Sequence, residues 1–262
     1  MIDFHNHVLP GVDDGAKDMA MAINMLKTAS SQGITDVINT IHFQHPKMEK
    51  KNVDYLYIQS EINKLQEEID KESIAIKIHM GAEVFYLPNL TEIKSDPLTV
   101  FGHGKYMLIE FQTYQLPPDY DEELYRLLMS GTTPIIAHPE RYRSIQNDIN
   151  IVEKLINSGC LMQIDAGSLL GQFGKDCKNS VETMLQRNMV HFMGSDSHND
   201  GKRNFCLESA AKMCEELIGD MTTLLIYDNP QKLLIGEKIE PFEIIDIKDN
   251  TSFIDKMLNW KS

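Results

Sequence analysis

The chain opens MIDFHNHVLPGVDDG, which places His5 and His7 two residues apart and follows them with Asp13 and Asp14. On an extended strand, side chains at i and i+2 point to one face. Two imidazoles aimed together, with carboxylates close by, are a ligand set for a divalent ion. Residues of the same types recur: His42 in TIHFQH, Glu83 in MGAEVF, Glu110 in MLIEF, His138 in IIAHPERYR, and Asp196 with His198 in GSDSHN. Each has a plainer role open to it. HNH can be an ordinary first strand, DSH can cap a helix, and Pro139 can simply end a strand. Glu110 resists such a reading, because it ends an apolar strand where an unpaired charge is expensive. One multinuclear metal site accounts for all of them at once. His5, His7, Asp14, His42, Glu83, Glu110, His138, Asp196 and His198 make nine candidate ligands. A single tetrahedral ion takes about four, so the set implies two or three ions, with a carboxylate bridging. Imidazole and carboxylate without thiolate suit Mn²⁺, Fe or Zn²⁺.

The elements that must position these residues alternate along the chain. Short apolar runs at 2–7, 36–41, 74–80, 106–111, 133–137, 160–165 and 189–194 read as strands. Amphipathic stretches at 18–31, 53–69, 119–129, 149–157, 176–186 and 201–217 read as helices. Gly33, Gly131 and Gly159 follow three of these as helix stops. Beyond Asn229 the pattern predicts a short helix, an extended IEPFEIIDI segment and a final helix ending near Trp260. Strand and helix alternating about seven times implies parallel strands joined by crossover helices, in an open sheet or a closed barrel. No Gly/Ser-rich linker or low-complexity segment divides the chain, so one domain over residues 1–262 is expected. Every predicted strand except the sixth carries metal-capable residues at or just past its C-terminal end. That is the face where α/β barrels and open α/β sheets place their sites.

Other residues take lesser roles. His79, His103 and His191 read as structural, His45 as a neighbour of the site, and Asp13 as shaping the turn, although spacing alone does not separate it from Asp14. Asp3 shares the predicted strand face of His5 and is placed to orient its imidazole. The chain has only five arginines, and Arg141, Arg143 and Arg203 lie within five residues of a candidate ligand. Guanidinium groups there would grip phosphate oxygens in bidentate fashion. The reading is firmer for Arg141 and Arg203; Arg143 is equally well explained as a solvated surface charge.

Composition narrows the partners. With 39 acidic and 25 basic residues the formal charge is −14, which disfavours nucleic acid, because binding draws on phosphate neutralisation by Lys and Arg. The start lacks a signal-peptide pattern, and no apolar run approaches the roughly 20 residues that span a bilayer. The expectation is a cytoplasmic protein without membrane insertion, its four cysteines reduced. Assembly into rings or dimers is open to a barrel of this size, and no interface stripe marks the sequence.

The combination of DFHNHVLPGVDDG, AHPERY and GSDSHN resembles the PHP (polymerase and histidinol phosphatase) superfamily, in its branch of bacterial capsule and exopolysaccharide protein-tyrosine phosphatases. The resemblance implies a distorted (β/α)7 TIM-like barrel, in agreement with the seven predicted strands. It implies three ions, with manganese foremost and iron or zinc as alternatives. His5, His7, Glu83 and Asp196 would hold the first. Glu83 would bridge to a second, held also by Glu110 and His138. Asp14, His42 and His198 would hold the third. Arg141 and Arg203 would bind the substrate phosphate, and His42 or His198 would supply a proton through water. The implied activity is metal-dependent hydrolysis of phosphotyrosine on a protein, a bacterial tyrosine autokinase controlling capsule or exopolysaccharide synthesis. A thiol route is disfavoured independently: the residues six positions after the cysteines are Ala166, Thr183, Lys212 and Asp220, and none is the arginine that cysteine phosphatases need. Alternatives are a phosphatase for histidinol phosphate or another small phosphomonoester, a nuclease, an amidohydrolase-type barrel, and a non-catalytic metal-binding regulatory module.

Overall fold

The computed structural model describes residues 1–48 and 54–246. Seven strands lie in one sheet in chain order: β1 Ile2–Asn6, β2 Asp36–Phe43, β3 Lys77–Phe85, β4 Tyr106–Glu110, β5 Thr133–Ala137, β6 Leu161–Asp165 and β7 Phe192–Gly194. All six neighbouring pairs are parallel. The sheet curls until its ends meet. The amide of Asp196 donates to the His5 carbonyl at 2.7 Å, and that of His7 donates to the Ser197 carbonyl at 2.9 Å. Gly194 permits this approach, since a Cβ there would lie 2.6 Å from the His5 nitrogen. The result is a distorted seven-stranded β/α barrel, closed by the loop after its shortest strand.

Alternation along the strands sorts apolar side chains into two layers. Phe4, Ile38, Leu108, Ile135, Leu161 and Phe192 fill the barrel interior, with Leu233 and Ile239 packed beneath them. Val37, Ile41, Met107, Ile109, Ile136, Met162 and Ile164 face the surrounding helices. Helix Met19–Ser31 starts where the Asp18 side chain accepts from the Met21 amide, and it buries Ala22, Met25, Leu26 and Ala29. Helix Tyr55–Lys71 is capped by Asp54 and buries Ile58, Ile62, Leu65 and Ile69. None of the described helices is long and apolar enough to cross a membrane.

Three predicted elements shift most, each for a local reason. The strand expected at 74–80 begins at Lys77 and runs on to Phe85, because the Ile74 amide closes the preceding helix onto the Ile69 carbonyl. The register with β2 then carries it to Val84 opposite Phe43. The Met189 amide likewise bonds back to the Met184 carbonyl, which shortens β7. The helix expected at 201–217 begins at Leu207, because Asn199 Oδ1 accepts from the amides of Gly201 and Arg203 and holds that stretch as a loop. Residues 237–246 have no regular secondary structure, and the predicted helix near Trp260 lies outside the described residues.

Candidate metal centre

The site begins with a fault in the first strand. Ile2 and Asp3 pair with Asp36 and Val37, but the next pair is Asn6 with Asn39, so β1 carries one extra residue. A bulge interrupts side-chain alternation and re-aims the side chains beyond it. Phe4 stacks inside the barrel on Phe192 at 4.3 Å, and His5 also turns inward. Asp3 does not orient His5. Its two oxygens accept from Asn6 Nδ2 at 3.2 Å and the Ser195 amide at 3.1 Å, so it ties β1 to the loop that closes the barrel. His5 is held instead by Gln163 on β6, whose Oε1 lies 2.9 Å from Nδ1. An amide oxygen only accepts, so Nδ1 carries the proton and Nε2 faces the carboxylates. Asp13 shapes the turn, as expected, by accepting from the Gly15 amide. It also accepts from His7 Nδ1 at 2.8 Å, which fixes that ring. Residue 15 must be glycine, because a Cβ would lie 2.0 Å from the His7 carbonyl oxygen.

All nine candidate ligands arrive at one end of the barrel, within three overlapping groups and their neighbours. Ligand atoms of His5, His7 and Asp196 lie within 4.8 Å of one another; so do those of His7, Asp14, His42 and His198, and those of His42, Glu83 and Glu110. Glu83 stands in the middle. Its Oε2 is 3.2 Å from His5 Nε2, 3.3 Å from His7 Nε2 and 3.2 Å from His42 Nδ1, while its Oε1 is 2.8 Å from His138 Nε2. Asp14 Oδ1 lies 3.3 Å from both His42 Nε2 and His198 Nε2. Glu110 is looser, with Oε1 4.0 Å from His138 Nε2 and Oε2 3.6 Å from His45 Nε2. Two residues that face the site, His138 and Asp196, have φ of +32° and +46°. Non-glycine residues held in that region cluster at functional sites.

The electrostatics show what the cluster needs. Glu83 is held far below the usual carboxylate range: burial opposes its charge, but His5 and His42 outweigh it. His5 is pushed up to about 9, since Glu83 and Asp196 overcome the cost of burying its charge. Glu110 goes the other way, raised by burial and by the charges of Glu83 and Asp196. Hydrogen bonds do not complete the set. Glu110 Oε2, His42 Nδ1 and His138 Nδ1 are buried without a hydrogen-bond partner. The Nε2 atoms of His5 and His7 face each other at 3.3 Å. With ion–ligand bonds of about 2.0–2.2 Å, neighbouring ligand atoms lie roughly 3.0–3.5 Å apart. The residues present therefore fit divalent cations in donor type, spacing and unsatisfied buried polar atoms.

Asp196 joins this cluster to the arginines. Its Oδ1 lies 3.3 Å from His7 Nε2 and His198 Nδ1, and its Oδ2 meets Arg141 Nη2 at 2.7 Å and Arg203 Nη2 at 2.6 Å. Arg141 is gripped from behind by Asp165, the fully buried last residue of β6. The sixth strand thus ends in a carboxylate that reaches the site through Arg141, contrary to the expectation that it alone contributes none. Glu140 backs this pair by accepting from the Asp165 amide at 3.0 Å; burial and Asp165 lift it to about 8. Sequence reasoning missed Gln163, Asp165 and Glu140. The available signal was a polar and an acidic residue in LMQID, a strand otherwise apolar throughout. Arg143 is not brought in; its exposed side chain faces Asp176 at 3.5 Å. His79 bonds Asp36, His103 bonds the Leu233 carbonyl, and His191 is buried just before β7, all away from the centre. The four cysteines are free thiols, and burial pushes Cys160 and Cys206 up to about 12, away from nucleophilic use.

A parallel β/α barrel with a cluster of imidazoles and carboxylates at its C-terminal face, flanked by two arginines, defines a class of metal-dependent hydrolase folds. Within that class the chain belongs to the CpsB/CapC family of capsular polysaccharide synthesis, which it matches over residues 1–235. It is 34% identical over 240 residues to tyrosine-protein phosphatase YwqE of Bacillus subtilis, covering 91% of this chain and 93% of that one. It is 31% identical over 241 residues to tyrosine-protein phosphatase CpsB of Streptococcus agalactiae, covering 89% and 98%. A solved structure from work on YwqE of B. subtilis and CpsB of Streptococcus pneumoniae, described as metal-dependent tyrosine phosphatases, superposes with a TM-score of 0.86 at 32% identity. It covers 94% of this chain and 100% of that one. Histidinol phosphate phosphatase of Lactococcus lactis shares the fold alone, at 17% identity and a TM-score of 0.54 over 94% and 98% of the two chains.

Proposed function

We propose that the protein is a metal-dependent phosphotyrosine phosphatase, a single domain over residues 1–262 acting in the cytoplasm on a tyrosine autokinase of capsule or exopolysaccharide synthesis. The observation that carries this reading is Asp196, with one oxygen among the imidazoles and the other between two guanidiniums. Such a carboxylate puts phosphate-gripping groups directly beside cation ligands. His5, His7, Asp14, His42, Glu83, Glu110, His138, Asp196 and His198 would hold two or three divalent ions, Mn²⁺ by preference. When bound, the ions supply Lewis acidity and lower the pKa of water to a useful value.

The protein groups do the rest. Arg141 and Arg203 bind the phosphoryl oxygens and stabilise charge as it develops there. Asp165 would hold Arg141 in place with Asp196 serving as a cation ligand. Gln163 and Asp13 fix the His5 and His7 rings, as hydrogen-bond partners of ligand imidazoles generally do. The leaving phenolate has a conjugate acid with pKa near 10, so proton return from His42 or His198 through water suffices without a strong general acid.

The test is phosphate release from a phosphotyrosine peptide by protein stripped of metal and reloaded separately with Mn²⁺, Fe²⁺ and Zn²⁺. Histidinol phosphate and the His138→Ala variant run in parallel. The expected result is metal-restored activity that favours the peptide and is lost in the variant. Reloading should also raise thermal stability, by about 2.7 kcal/mol at a hundredfold excess over the dissociation constant. A preference for histidinol phosphate sinks the tyrosine reading, and no release with any metal sinks the phosphatase reading altogether.

A further inference from the structure

Beside the centre lies a groove of about 430 Å³ whose lining includes Tyr114, Arg141 and Phe173. Arg141 is its link to the site, and the exposed residues Arg143, Lys175 and Asp176 also line it. The Phe173 ring lies under the Arg141 guanidinium at 3.9 Å from the ring centre, so the groove opens directly from the group assigned to phosphate. Tyr114, also in the lining, is 77% exposed, a bare aromatic at the edge of a polar hollow. The groove continues past Arg143 into a second hollow of about 390 Å³ that shares Arg143, Gln146 and Asp176. A small phosphomonoester does not need two joined hollows; an extended chain does.

The charge of this surface also runs against the molecule. The protein carries −14 overall, yet the exposed wall offers two cations, Arg143 and Lys175, against one acid, Asp176. Arg143 is only weakly engaged by that acid at 3.5 Å. We propose that this groove seats the polypeptide flanking the phosphotyrosine, with acidic flanking residues against Arg143 and Lys175 and the chain passing between Tyr114 and Phe173. The inference rests on the phosphatase reading and adds the substrate's form and charge to it. Charges at the rim of a binding surface act mainly on encounter and salt dependence, so their effect belongs in kcat/KM for the peptide and not in the chemistry.

The test compares metal-loaded wild type with the double variant Arg143→Glu, Lys175→Glu. Three substrates are used: a phosphotyrosine peptide with Asp and Glu flanks, the same peptide with Gln flanks, and p-nitrophenyl phosphate. The expected result is a fall of about tenfold in kcat/KM for the acidic peptide, chiefly through KM and shrinking at high salt. The Gln-flanked peptide should change about threefold or less, and p-nitrophenyl phosphate by less than twofold. Because both residues are exposed, retained turnover of the small substrate also reports correct folding. Equal losses on all three substrates, or no loss on the acidic peptide while wild type hydrolyses it, overturn the groove and leave the phosphatase reading standing. If wild type hydrolyses none of the three, the phosphatase reading falls and the groove proposal falls with it.

Discussion

In the barrel interior Phe4 stacks on Phe192 at 4.3 Å, and Leu233 and Ile239 pack beneath the apolar cluster. At the C-terminal mouth of the same barrel, five imidazoles and four carboxylates crowd together, with buried polar atoms that lack partners. The polar end is open at its rim, where Asp14 is half exposed, but its inner residues His5, His7 and Glu83 are as buried as the apolar cluster. The two regions differ in what completes them. The apolar end is finished by its own side chains. The polar end has buried polar atoms that no hydrogen bond satisfies, and cations and phosphate would complete it. Two histidines show the contrast. His191, buried just before β7 against Phe242, is pushed down to about 3 by burial alone. His5 is buried as deeply, yet its carboxylate neighbours drive it up to about 9. Depth does not set the direction; the surrounding charges do.

This contrast can be broken in three ways. The largest effect is expected from Phe192→Ala at the apolar end, a loss of about 3–5 kcal/mol in denaturant unfolding. Hydrolysis per folded molecule should stay within a few-fold of wild type; a large loss of turnover at unchanged stability would dissolve the distinction between the two ends. Next comes Asp196→Asn at the polar end. It should cost about 10²–10³ in kcat/KM on a phosphotyrosine peptide, because one side chain serves both the imidazoles and the guanidiniums. Activity within tenfold of wild type would remove Asp196 from its linking position.

The smallest effect sharpens the histidine comparison. His191 has a folded value below its unfolded value of about 6.5, so its contribution to stability is complete above that pH and is lost as pH falls toward about 3. Between pH 7 and pH 4.5 wild type should therefore lose about 2–3 kcal/mol more than His191→Gln, which keeps an acceptor for the Met162 amide. Equal losses in urea unfolding at the two pH values would show that His191 is not held neutral.

Much of the centre was legible because its residues obey a positional rule. Ligand types recur at successive strand ends, and a parallel barrel collects its strand ends on one face. His42 and Glu83 were readable in this way, and they prove to be direct register partners on β2 and β3. The supporting residues were not legible. Gln163 looks like one polar residue in an apolar strand, and only the barrel's closure brings β6 across from β1 so that it reaches His5. Asp3 failed for the opposite reason. Strict alternation puts it beside His5, but the bulge in β1 breaks alternation at that point, and no local pattern in IDFHN announces the extra residue. Strand ends misled where an amide was needed to close a preceding helix, as at Ile74 and Met189.

By itself the sequence determined the repeating strand–helix order, the identity of the nine candidate ligands and the scarcity of arginine that made Arg141 and Arg203 stand out. Those come from hydrophobic period and residue chemistry, which are local. Only the tertiary structure decided that Asp13 and Gln163 hold the rings of His7 and His5, that Asp165 grips Arg141, that Arg143 faces outward, and that an aromatic groove leads away from the centre. Those depend on contacts between residues up to 158 positions apart, set by where the barrel closes, and closure is a property of the whole chain.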